Sequence, residues 1–446
     1  MDEIKLAREI IGRLEKKGIQ EAEVWIEKAQ ATGIDIKEQK VDTFKLTEED
    51  GIGLRIINNQ RIGFSFCSER NQAAIDQLIN HALSAALSGD PDEYYHLPRL
   101  AASYPQVPGK DPDLVKVNVR DKIERAKEIE RAAYAYDKRV DKVRHTTYSD
   151  SQYEVWIANN HGLELYYDGG LCSLSILAVA TEGADSQTGW EFDLARRYQD
   201  LAASQKIGES AARMSVSLLG AQIIGTRRTA IIFDNYTAHE LLGMFSHAFS
   251  ADAVQKGKSL LIGKEGKQIA SPLININDDG LKKDAFHSAP ADGEGVPMQT
   301  TPLVKDGVLV GLLHNSYTAA KARTASTGNG MRGGFKSLPD VDVSNFFLAP
   351  GTIGFEQLLA GTGEGLLVTQ LMGTHTCDPI SGDFSVGAMG LWLEQGQKTK
   401  PVRGVTIAGN FLELLVQVDA VADNLRFFGS VGTPAFRCRD IMLGGE

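Results

Sequence analysis

The stretch HELLGMFSH, His239 to His247, places a His-Glu pair and a second histidine within nine residues that read as helix. These are the residue types of a zinc peptidase helix, where two imidazoles one turn apart share a face and converge on the metal while a glutamate polarises the bound water. The spacing here does not deliver that chemistry. On a regular helix His247 lies about 12 Å along the axis from His239 and about 80° around it, whereas Zn–N bonds are only about 2.0–2.1 Å. Gly243 and Met244, one turn beyond His239, offer no useful zinc ligand. The three residues are therefore expected as polar positions on a helix whose Leu241, Leu242, Phe245 and Phe249 face the core. The alternative is a distorted helix in which His239 and His247 hold a metal and Glu240 is catalytic.

Other chemistry is thinly represented. GTHTCDP offers His375 and Cys377, two soft-metal ligand types, but a turn before GDF accounts for them equally well. GNGMRGG contains G-x-G-x-x-G from Gly328 to Gly333, without the preceding strand and following helix that a dinucleotide fold requires. A mobile Gly-rich loop over a groove is the expected role. Neither G-x-x-x-x-G-K-[ST] nor G-x-S-x-G occurs, so nucleotide hydrolysis and α/β-hydrolase chemistry have no support.

Composition narrows the setting. Lys and Arg number 47 against 58 Asp and Glu, a net charge of −11, and no basic run interrupts the excess. Direct nucleic-acid binding is thereby disfavoured, because phosphate recognition depends on clustered cations. Cys67, Cys172, Cys377 and Cys438 lie far apart, as expected of reduced thiols rather than a disulfide framework. The charged start MDEIKLAREIIGRLEKKG has no apolar leader, and no segment approaches the roughly 18 apolar residues of a membrane span. A cytoplasmic protein without membrane contact is expected.

The elements that must position these residues suggest an α+β chain of two domains, with large antiparallel or mixed sheets flanked by helices and a β-rich second half. An opening helix from Ile4 to Leu14 precedes alternating runs between Glu21 and Ser68, with NNQ as a hairpin signal. Ile75, Leu78, Ile79, Ala82, Leu83 and Ala86 form a helical stripe closed by Gly89. This first part, 1–88, leads into a Pro-rich connection, 89–114, whose five prolines exclude a regular element. The remainder of the first domain, 115–222, reads as a helix from about Val119 to Tyr136, alternating runs with NHG and DGG as turns, and a helix near Leu201 to Leu219. The C-terminal domain, 223–446, opens on RTAIIFD, continues through the quoted helix, and becomes rich in strands and turns, including a hairpin at Asp306-Gly307.

SADAVQKGKSLL, DGEGVPMQTTPLVKDGVLVGLLHNSYTAAK, STGNG, TQLMGTHTCDPISGDFSVGAMGLWLEQGQ, PVRGVTIAGNFLELL and VGTPAFRCRDIMLGG follow one another in order. In this the chain resembles the TldD/PmbA family, also named for modulation of DNA gyrase, over essentially its whole length and more strongly after Arg228. The resemblance implies a cytoplasmic heterodimeric zinc peptidase that cuts unfolded or extended peptides in an enclosed cavity. One member, TldD, carries H-E-x-x-x-H and a zinc-binding Cys near its C-terminus. The PmbA/TldE type lacks both.

Anchoring on SADAV, Ser250 to Val254, the resemblance puts that motif's first His on Leu242, its Glu on Gly243 and its last His on His247. His239 and Glu240 fall three residues early, and LRFFGSVGTPAF has no Cys where the catalytic subunit has G-x-C-G-K. The chain is thus more similar to the PmbA/TldE type, with no cofactor of its own and zinc expected in a TldD-like partner. The expected partners are that homologue, a second copy of this chain, and a peptide in a groove near His247, Asp252, Ser326, Thr327, Gly328, Asn329, His375, Gly382, Asp383 and Phe384. Autonomous metallopeptidase action, or protein binding related to DNA gyrase without peptidase activity, are the alternatives.

Overall fold

Six long strands and four helices build the first half of the computed structural model, which describes residues 3–283 and 285–445. The strands are β1 (Glu21–Lys37), β2 (Lys40–Asn58), β3 (Arg61–Cys67), β4 (Val140–Asn159), β5 (Glu164–Glu182) and β6 (Asp185–Ala195). They form one antiparallel sheet in the order β3-β2-β1-β4-β5-β6. Alternation along a strand assigns its two faces. Ile26 and Ile34 of β1 and Ile56 of β2 turn to one face, which is covered by α1 (Glu3–Glu15), α2 (Gln72–Ser88), α3 (Val119–Tyr136) and α4 (Ser204–Ser217). Glu23 and Trp25 of β1 turn to the other face, where Phe335 from the second half packs on Trp25.

The second half contains a closed barrel. Its strand β7 (Arg227–Phe233) lies between Glu364–Met372 and Phe436–Gly444, and Asp383–Glu394 and Gln397–Asn410 continue the sheet. The ring closes because Gln397–Asn410 also pairs with Phe436–Gly444. A second six-stranded sheet includes Ile276–Asp279, Thr300–Lys305, Phe346–Leu348 and Val431–Thr433. Between the two sheets lies a core containing Phe249, Phe346, Trp392 and Phe411. The fold is therefore α+β with a β-rich second half. Among the described residues no helix is long and apolar enough to cross a membrane.

Local signals in the sequence correspond closely to several elements. The NNQ turn places Asn59 and Gln60 at φ 50° and 62°, the left-handed pair that a tight hairpin needs. Asp306 and Gly307 do the same at 48° and 77°. DGG, expected as a turn, instead lies inside β5 as Asp168, Gly169 and Gly170. The reason is a close approach: a Cβ on Gly169 would lie 2.4 Å from the Tyr153 hydroxyl, and one on Gly170 would lie 2.6 Å from the Ser151 carbonyl. These glycines make room for the neighbouring strand.

Four charged side chains join the halves through the sheet face that carries Trp25. Arg55 donates to Glu23 at 2.6 and 3.2 Å and to Glu294 at 2.9 Å. Arg332 also pairs with Glu23 and donates to the Gly293 carbonyl. The second oxygen of Glu294 accepts the Ser316 amide at 2.7 Å. The loop DGEGVP, Asp292 to Pro297, is thereby tied to β1 and β2.

Candidate functional site

The His-Glu pair sits on α5 (Asn235–Met244), which leaves the end of β7 through Asp234. Asp234 caps the helix, accepting from the Thr237 amide and hydroxyl at 2.9 Å each, the usual satisfaction of a first-turn donor. Burial pushes its carboxyl up to about 6. Ala238, Leu241 and Leu242 face the barrel core. Tyr236 and His239 turn instead toward β6 and the strand Arg426–Phe428. The Tyr236 ring lies 3.9 Å from Trp190, centroid to centroid, and His239 lies 5.1 Å from Phe428. Arg426 closes this aromatic cluster, donating to Glu191 at 2.6 Å and standing 4.8 Å from the Phe428 ring centre.

This setting fixes the electrostatics of the pair. Burial lowers His239 to about 4 and raises Glu240 to about 7, the latter with help from the Asp234 charge and against the Tyr236 hydroxyl. Both groups favour the neutral form in the folded chain. His239 Nδ1 and Glu240 Oε2 are buried without hydrogen-bond partners among the described residues.

The shifts act on stability with opposite signs. The Glu240 contribution is full below its ordinary value of 4.5 and is lost as pH rises through about 7. The His239 contribution is full above its ordinary value of 6.5 and is lost as pH falls through about 4. Between these values the two slopes oppose each other. In Glu240→Gln only the histidine slope remains, so the stability of the variant relative to wild type is expected to rise with pH from about 4.5 to about 7. Urea denaturation at stepped pH measures this difference. A flat difference would show that Glu240 titrates alike in the folded and unfolded chain.

The sequence reading placed His239 and His247 on one helix, and the structure corrects this. α5 ends at Met244; Phe245 has φ −105° and ψ 3°, and Ser246–Phe249 forms a separate 3-10 turn. Phe245 is fully buried and stacks on Phe411 at 4.1 Å. His247 is exposed, whereas Leu242 is 4 % exposed and belongs to the core. Gly243 has no side chain to contribute. Among the described residues no three His, Cys, Asp or Glu side chains are grouped so that they could hold a metal ion. The donors of α5 therefore do not fit a zinc ligand set.

The other groove candidates fall into three places. His375 is exposed in the turn Thr374–Thr376, which packs against α5, and Cys377 follows it with its thiol raised by burial. Gly382, Asp383 and Phe384 open the strand beyond; Asp383 accepts from Asn410 at 3.0 Å and Phe384 is in the core. Asp252 lies on α6 (Ala251–Gln255) beside α7 (Ser316–Ala322).

Ser326, Thr327, Gly328 and Asn329 are hydrogen-bonded into the second half. Thr327 donates to Asn329 at 2.7 Å, Asn329 to Asp278 at 2.8 Å and Ser326 to the His314 carbonyl at 3.1 Å. Asn329 is 2 % exposed, and Gly328, at φ +74°, has its backbone against the Pro297 carbonyl. Burial raises Asp278 to about 6. Gly328 serves internal packing.

The sequence reading missed Asp234, Tyr236 and the aromatic residues around them, and also Glu23 and Arg55. A signal existed for the last two: each is a lone charge inside an apolar strand run, AEVWI and GLRII. Such a charge is kept only when a partner meets it in the fold.

The comparisons with known proteins agree with the motif resemblance. Residues 22–86, 112–219 and 226–445 match, in turn, domain 1, the central domain and the C-terminal domain of the PmbA/TldA metallopeptidases. The chain belongs to the PmbA/TldD metallopeptidase family. It is 28% identical over 432 residues to the metalloprotease PmbA of Escherichia coli O157:H7, covering 95% of this chain and 92% of that one. A Thermotoga maritima crystal structure, named as a proposed modulator of a DNA gyrase, superimposes with a TM-score of 0.90 at 27% identity over 99% of both chains. TldE from Thermococcus kodakarensis shares the fold, with a TM-score of 0.89 at 24% identity over 99% of this chain and 100% of that one.

Proposed function

We propose that this chain is a PmbA/TldE-type, non-catalytic subunit of a cytoplasmic zinc metallopeptidase that hydrolyses extended or unfolded peptides. It pairs with a homologue carrying H-E-x-x-x-H, or with a second copy of itself when that partner is missing. The observation that carries this reading is the register of α5. Leu242 is locked in the core and Gly243 is bare, so only exposed His247 remains where the family motif places a ligand. Zinc in the partner would activate a water and polarise the scissile carbonyl. This chain contributes fold and cavity wall. An edge for an extended peptide is present: β2 outruns β3, leaving the outer side of Lys40 to Gly51 without a partner strand among the described residues.

One observation favours a second reading, autonomous peptidase action: the unpartnered His239 Nδ1 and Glu240 Oε2. Purifying the chain alone and with a homologue bearing H-E-x-x-x-H, then measuring zinc content and cleavage of an unfolded peptide, separates the two. Under the proposal the isolated chain carries no stoichiometric zinc, and the mixture cleaves equally well with Glu240→Gln. One zinc per isolated chain and strong cleavage abolished by Glu240→Gln would establish the second reading instead.

A further inference from the structure

A pocket of about 260 Å³ opens where the two halves meet, lined in part by the buried Arg55–Glu294 pair. Its walls come from β2 and β3, the Pro-rich connection, α6, the start of α7 and the segment Leu338 to Asp340. It is smaller than the roughly 300–1,000 Å³ usual for drug-sized ligands, so its occupant is a small one.

The polar groups in this pocket are not all used by the protein. Asn315 is 6 % exposed; its carbonyl oxygen accepts from the Thr318 amide and hydroxyl, while its NH2 group has no partner among the described residues and lines the pocket. That NH2 group keeps access to solvent and can donate to an acceptor in the cavity. Lys256 pairs with Asp252 at 2.8 Å but keeps a side chain that is 59 % exposed. Only one Asp252 oxygen is used by Lys256, and Asp340 is exposed at the rim. Arg55 is taken up by Glu23 and Glu294. Lys256 and the Asn315 amide can therefore donate to a ligand, and the oxygens that Asp252 and Asp340 do not give to Lys256 and to the Val341 amide can accept. Ile57, Ile62 and Leu338 supply an aliphatic wall.

We propose that this pocket binds a small zwitterion, an aliphatic α-amino acid or dipeptide. Its carboxylate meets Lys256 and the Asn315 amide, its ammonium meets Asp252 and Asp340, and its side chain lies on the aliphatic wall. The inference stands apart from the peptidase reading, since it uses no metal and no partner subunit.

Calorimetric titration of the full chain with leucyl-leucine, its N-acetyl form and its C-terminal amide tests it. The free dipeptide binds saturably, and blocking either end weakens binding about tenfold or more, the loss expected for one charge-assisted hydrogen bond. Lys256→Ala weakens the free dipeptide by a similar factor and leaves the amide unchanged. Asp340→Asn weakens the free dipeptide and leaves the acetylated form unchanged. Both positions are exposed, so an unaltered thermal midpoint is expected for each variant. No saturable binding at millimolar dipeptide, equal binding of the blocked forms, or binding indifferent to both substitutions overturns the proposal.

Discussion

Arg55→Ala is expected to cost about 3–5 kcal/mol of folding stability, the usual loss when one partner of a buried ion pair is removed. Arg55 is 5 % exposed, Glu23 1 % and Glu294 2 %. Truncation would leave Glu294 without its ion-pair partner among the described residues and Glu23 paired with Arg332. The cost is dominated by carboxylates stranded away from water rather than by the attraction lost. An exposed pair provides the contrast: Arg227 meets Glu364 at 3.3 Å with side chains 44 % and 62 % exposed. Arg227→Ala is expected to change stability by about 1 kcal/mol or less. Chemical denaturation of both variants checks this, and equal midpoints would show that the network adds nothing beyond a surface pair.

Phe245→Ala is expected to cost about 3–5 kcal/mol, as large-to-small changes of buried aromatics do. The ring is fully buried and stacked on Phe411 with an interplanar angle of 18°. It also sits where α5 gives way to the turn that carries His247. Phe245→Leu keeps most of the apolar volume and should recover more than half of the loss. His247→Ala, at an exposed position, should stay within about 0.5 kcal/mol of wild type. Thermal or urea unfolding distinguishes these cases. A small loss in Phe245→Ala would mean that the break in the helix is set elsewhere.

Much of the local structure was legible from the residues. The stripe of α2, the span of α3 and the hairpins at Asn59-Gln60 and Asp306-Gly307 rest on interactions between residues close in the chain. The resemblance puts the motif's first His on Leu242 and its Glu on Gly243, and the structure places Leu242 in the core. The DGG turn was misread because glycine answers to two needs, positive φ and close approach, and the second depends on Tyr153 in the neighbouring strand. The single helix from His239 to His247 was misread because its break is stabilised by Phe411, far along the chain.

The sequence by itself determined the α+β class and the family. These depend on residue type and spacing alone. Only the tertiary structure decided that β1 pairs with β4, that Asn329 bonds to buried Asp278, and that the His239–Glu240 pair faces an aromatic cluster at the seam between the halves. In each case the deciding partner lies many residues away, and burial beside it, not spacing along the chain, sets the charge and the role of the side chain.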